Sequence, residues 1–164
     1  MFRIVAALAA TVVFVATGSV AAGGLRGQST QASDLTAARE ATAKYRDVKR
    51  AGKDGYQILS FGTKCVPGLG YDYVNVPNVV GGEIDLAHPG QLLYAPSGKG
   101  LQLVGVQYEL FASGHSRPTL FGRPFAGPLP GRVAQEPMHY LLTVWLWSAN
   151  PKGLFAPSNP RVTC

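Results

Sequence analysis

Apolar residues in this chain run first as a continuous block, then at helical spacing, and finally in strand alternation. The block, Ile4 to Val15 in MFRIVAALAATVVFVATGSVAAGG, follows the positive Arg3 and gives way to small residues. That three-part pattern predicts a secretory signal over residues 1–22, with Ala21 and Ala22 as equally good cleavage positions. Retention as an uncleaved anchor is the alternative, since the apolar character approaches the roughly 20 residues a spanning helix needs. Residues 23–33 are small and polar without a period, as in a flexible lead-in. From Asp34 onward, Leu35, Ala38, Ala41, Tyr45 and Val48 fall on one helical stripe. Ser33 or Asp34 can cap the start, and Gly52 and Gly55 stop the pattern, so one amphipathic helix is predicted over about residues 34–52.

Beyond the helix the pattern turns to strands punctuated by Gly and Pro. Extended segments are expected at Tyr56–Phe61, Tyr71–Val76, Gln91–Tyr94, Leu101–Phe111 and Met138–Trp147, with PSGKG at 96–100 closing a hairpin. In Leu101–Phe111 the predicted core face is Val104, Val106, Tyr108 and Leu110, which leaves Gln107 and Glu109 on the opposite face. HYLLTVWLW, residues 139–147, places Tyr140, Leu142, Val144 and Leu146 on a core face. His139, Leu141, Thr143, Trp145 and Trp147 share the other, a mixture of imidazole, hydroxyl and indole suited to a pocket wall. Ser113–Glu136 carries Pro118, Pro124, Pro128 and Pro130, which excludes a central strand. Leu120, Phe121 and Phe125 make it too apolar for a free linker, so it reads as a long packed loop. The simplest architecture is α+β: one helix packed on a mainly antiparallel, curved sheet, in a single domain over residues 34–164.

Without the leader about 140 residues remain, enough for one domain with a buried core. Of the 15 Lys and Arg, Arg3 leaves with the leader, so 14 basic residues stand against 9 acidic ones, a charge of +5. This balance admits an anionic cell-surface component as partner. Nucleic acid is not expected, because the basic residues are not interleaved with aromatics. Arg39, Arg46, Arg50 and Lys53 form a basic stripe on the predicted helix; its simpler reading is a solvated face with Glu40, Asp47 and Asp54 as local partners. The two cysteines, Cys65 and Cys164, predict a disulfide in an exported chain. The expected location is outside the cytoplasm, secreted or in the cell envelope, with no membrane-spanning segment after cleavage.

Candidate chemistry is sparse. GxSxG, HExxH, Walker and dinucleotide-binding patterns are absent, so an enzyme is not favoured. His88 in AHPG and His115 in SGHS are turn-like, which leaves His139 as the distinctive histidine. A metal site needs several converging ligands; Asp72 in GYDYVNV and Glu109 or Gln107 in GVQYELF are the candidates to join His139. No cofactor is predicted by these residues outright, and a divalent transition metal is the alternative. Trp145 and Trp147 suit either core packing or ligand contact.

The motifs GYDYVNV, LLYAP, LQLVGVQYELF, LFGRPF, HYLLTVWLW and NPKGLFAPSNP, with Cys65 and the final Cys164, resemble an uncharacterised family of secreted bacterial proteins frequent in actinobacteria. The resemblance spans about residues 40–164 and carries no known activity. The family pattern often has His at the position of Asp72, Glu at Gln107 and a second His at Thr143. The resemblance therefore implies a polar pocket or transition-metal site of which His139 alone is unchanged here. The resulting expectation is a small-molecule or ion-binding domain without catalysis, lined by Asp72, Gln107, His139, Thr143, Trp145 and Trp147. A metal-dependent enzyme or carrier with a degenerate site, and a cell-envelope interaction module, are the alternatives.

Overall fold

The computed structural model describes residues 23–59, 63–98 and 100–164. The predicted signal, residues 1–22, lies outside them, and no helix among the described residues is long and apolar enough to cross a membrane. The predicted single helix is divided. Helix α1 spans Gly23–Thr42 and so includes the segment read as a lead-in; a 3₁₀ turn follows at Ala43–Arg46, then α2 at Val48–Lys53. The division falls at Asp47, whose backbone is extended and whose carboxylate accepts from the Lys49 amide at 2.9 Å. A side chain that offers the backbone this local partner ends one helix and caps the next. The stripe survives the break: Ala38 and Tyr45 are fully buried, and Leu35 and Val48 pack against the same core.

The remaining elements are β1 (Gln57–Ile58), β2 (Tyr71–Val74), α3 (Val76–Val80), β3 (Gln91–Ser97), β4 (Gly100–Phe111), β5 (Thr119–Leu120), β6 (Arg123–Pro124), β7 (Ala126–Leu129) and β8 (His139–Val144). Six strands form one antiparallel sheet in the order β1-β2-β3-β4-β8-β7, and β5 and β6 form a separate pair. The architecture is α+β. The hairpin is present, with Ser97 paired to Gly100. The segment between β4 and β8, expected as a packed loop, carries three short strands, β5, β6 and β7; its prolines leave β7 at the edge of the main sheet, where a missing amide costs no ladder bond.

The sheet has two unlike faces. Leu92, Tyr94, Leu103, Val106, Tyr108, Leu142 and Val144 join Ala38, Tyr45, Phe121 and Phe125 in the main core. On the opposite face Leu93, Ala95, Val104, Trp145 and Val162 form a smaller cluster at one end. Val104 was expected beside Val106, and a bulge reverses it. Leu93 pairs with Gly105 while Tyr94 pairs with Leu103, so Val104 is an extra residue and the alternation shifts there.

The carboxyl-terminal tail is tied under this second face. Cys65 and Cys164 are joined, with their Cα atoms 5.7 Å apart. Beside the bridge, Gly68 donates to Val162 O at 2.8 Å and Asn159 donates to Gly68 O at 2.9 Å.

Candidate functional site

The polar part of the second face is built by register. Gln107 pairs with Thr143, Glu109 with Leu141 and Phe111 with His139 across β4 and β8, while Gln91 pairs with Gln107 and Asp72 with Leu93 on the other side. Alternate residues on adjacent strands share a face, so Asp72, Gln91, Gln107, Glu109, His139 and Thr143 are presented together. Gln91, Gln107, Glu109, His139 and Thr143 are each buried, with Glu109 only 2% exposed.

The segment between β7 and β8 lies over these groups and inserts Arg132 among them. Its Nη1 donates to Asp72 Oδ2 at 2.7 Å and to Gln91 Oε1 at 3.3 Å. Its Nη2 donates to Glu109 Oε2 at 2.8 Å and to Glu136 Oε1 at 3.0 Å. Gln91 Nε2 also donates to Glu109 Oε2, and the Arg132 amide to Glu136 Oε2. His139 Nδ1 is 3.3 Å from Pro137 O and 3.9 Å from Glu136 Oε1. One guanidinium thus serves three carboxylates, and it does not satisfy them all: Asp72 Oδ1 and Glu109 Oε1 are buried without a hydrogen-bond partner.

The electrostatics follow from that shortage. Burial pushes Asp72 up to about 7; Arg132 opposes the shift, and the neighbouring charges of Glu109 and Glu136 add to it. Burial likewise raises Glu109 against the pull of Arg132 and His139. Burial would raise Glu136 as well, but its hydrogen bonds from Arg132 prevail and hold it below its ordinary value. Burial acts to lower Arg132, and the surrounding carboxylates outweigh it and raise the group.

Arg132 also separates two small cavities. One, of about 140 Å³, is lined by Asp72, Gln107, Arg132, Leu69, Leu93 and Leu141 among others. The second, of about 130 Å³, has Glu109, Glu136 and Arg132 set among Leu59, Val74, Val79 and Phe111. Each cavity is bordered by one of the two residues carrying an unpartnered carboxylate oxygen.

The residues singled out from sequence are distributed unevenly. Gln107 donates to Thr143 Oγ1 at 2.9 Å, and Asp72 joins the group through Arg132. His139 lies near Glu109 and Glu136, and Asp72 is not among the residues whose ligand atoms converge with it. Trp145 is 2% exposed in the smaller apolar cluster, where its Nε1 donates to Ala156 O at 2.7 Å. Trp147 is on the helix side, because the ladder stops at Val144 and the Trp145 amide turns to Leu154 O. There its Nε1 donates to Thr42 Oγ1 at 3.3 Å, with Arg39 4.4 Å and Arg46 5.7 Å from its ring. Within the same basic stripe Arg50 is locally engaged, 3.2 Å from Asp54. His88 and His115 are exposed.

Arg132, Glu136 and Gln91 were not singled out from sequence, and Glu109 was weighed only beside Gln107. The available signal was the opposite charges of Arg132 and Glu136, four residues apart and just ahead of His139 in GRVAQEPMH. Comparison with family models, with curated proteins and with solved structures finds no match to the chain.

Proposed function

We propose that the protein is an exported domain that binds a small cation, organic or metallic, on the polar face of its sheet, and that it binds rather than transforms that ligand. The observation that carries this reading is the pair of buried carboxylate oxygens without partners, Asp72 Oδ1 and Glu109 Oε1, on either side of Arg132. A carboxylate taken out of water loses several kcal/mol of solvation unless hydrogen bonds or a counter-charge replace it. Three carboxyl groups face one guanidinium, so their full ionisation leaves negative charge that a bound cation would neutralise, and this selects the sign of a ligand. The disulfide between Cys65 and Cys164 supports a location outside the reducing cytoplasm.

The test is the thermal midpoint of the mature domain in the presence of small organic cations, divalent cations and small anions. Cations should raise the midpoint and anions should not, and Glu109→Gln should remove the response. A response to anions alone, or a cation response undiminished in Glu109→Gln, overturns the reading.

A second reading is supported by the cleft of about 670 Å³ beside Arg39, Lys44, Arg46 and Trp147, where two guanidinium groups flank one indole. It makes the chain a module for an anionic envelope polymer. Retention on cell walls that disappears in Arg39→Ala/Arg46→Ala would favour it, and retention unaffected by salt counts against it.

A further inference from the structure

Resting on the cation-binding reading, we propose that Glu109, Glu136 and His139 form a site for a divalent first-row transition-metal ion, which binds in exchange with the Arg132 guanidinium. One ligand atom from each of the three residues lies within 4.8 Å of the other two. Ligands bonded at about 2.0–2.2 Å to a common ion stand about 3–4 Å apart. His139 Nδ1 and Glu136 Oε1, at 3.9 Å, already meet that spacing, and a Glu109 oxygen lies within 4.8 Å of a ligand atom of each.

Two independent observations go beyond the clustering of acidic groups. The Glu109 side chain is 1% exposed, and its Oε1 has no hydrogen-bond partner. A buried carboxylate with one oxygen unused keeps ligating capacity that its guanidinium partner on the other oxygen does not fill. In addition, a cationic nitrogen already occupies the space between the two glutamates: Arg132 Nη2 is 2.8 Å from Glu109 Oε2 and 3.0 Å from Glu136 Oε1. A dication and a guanidinium cannot share that position, because their repulsion is unscreened in so buried a place. Binding is therefore an exchange. Arg132 can give way, since its side chain is 31% exposed and sits in the connection ahead of β8, whereas Glu109 is held in the central strand.

The donor set chooses the metal. Two carboxylates and one imidazole suit Zn²⁺, Mn²⁺ or Fe²⁺ and leave coordination positions for water or a second ligand. They are too few oxygens for Ca²⁺, which takes six to eight. Thiolate-seeking ions find nothing, because both cysteines are in the disulfide. Leu59, Val79 and Phe111 line the adjoining cavity and supply an apolar surround, which strengthens the attraction of the carboxylates for an ion.

The experiment uses tag-free, chelator-stripped, disulfide-intact mature protein, titrated calorimetrically with Zn²⁺ at pH 7. One Zn²⁺ per chain is expected. Affinity should fall at least tenfold in His139→Ala and in Glu136→Gln, and rise about tenfold in Arg132→Gln, where the competing cation is gone. Co²⁺ added to the wild type checks the site without any variant: it should broaden the NMR signals of His139 and leave those of His88 and His115. Broadening of His88 or His115 instead, or equal Zn²⁺ affinity in the wild type and both ligand variants, overturns the proposal. Methylguanidinium separates the two levels of the argument. If Arg132→Gln takes methylguanidinium but neither it nor the wild type takes Zn²⁺, the metal site falls and the cation reading stands; if no cation binds to either, both fall.

Discussion

Asp72 is the residue at which the site's imbalance of charge can be measured. Its carboxyl would titrate near 3.8 in an unfolded chain, and in the fold burial pushes it up to about 7. The folded protein therefore holds a proton that the unfolded chain has released, and the resulting stabilisation is complete below about pH 3.8. It is lost as the pH rises through about 7. Asp72→Asn stays neutral throughout, so the difference in thermal midpoint between it and the wild type should move in the variant's favour from pH 4 to pH 7. Calorimetric scans across that range check this; a constant difference would show that Asp72 ionises normally. Some slope should persist in the variant, since Glu109 is raised by the same burial. Alternation within a strand put His139 with Thr143 and Gln107 with Glu109; joining these and Asp72 into one group rested on the expectation that their strands are neighbours and on the family resemblance. Sequence reading did not find their connection, because Arg132 reaches Asp72 across 60 residues of chain.

At the scale of elements, β4 and β8 position the site by departing from ideal strands. The bulge at Val104 puts Leu103 and Val106 on one face despite their odd separation, while Gln107 and Glu109 keep theirs. Gly105 permits it: a Cβ there would stand 3.0 Å from both Trp145 Cε3 and Val144 O. Gly105→Ala should accordingly cost about 1–3 kcal/mol, the usual range for overpacking, measured as a lowered midpoint in urea with the slope unchanged. Loss of less than a few tenths of a kcal/mol would mean that β8 moves aside freely. The end of β8 has a similar origin. Alternation predicts Trp147 on the face of His139, but the Trp145 amide bonds to Leu154 O in the tail and the Leu146 amide to Val144 O, which breaks the alternation; the Trp147 amide then returns to Val104 O of β4 while its indole reaches Thr42 of α1. Period-two patterning detects a strand and cannot detect where a competing backbone partner ends it.

For the whole molecule, the disulfide closes a covalent loop whose ends are 99 residues apart. The chain-entropy model values such a closure at roughly 4–5 kcal/mol. Cys65→Ser/Cys164→Ser should lose about that much in denaturant unfolding; a loss below about 1 kcal/mol would show that the contacts of Val66–Gly70 with Asn159 and Val162 hold the tail unaided. The cysteine pair, the α+β class, the inward stripe of the helices and the core face of β8 were all legible from the order of residues. Each depends on local periodicity or on there being a single pairing to make, and burial of apolar surface rewards the same pattern whatever its partner. Tertiary structure alone decided that Trp147 joins α1 and that Arg132 and Glu136 meet Asp72 and Glu109 on the polar face. Those outcomes depend on which distant groups compete for one hydrogen bond or one charge, and spacing along a chain does not encode that competition.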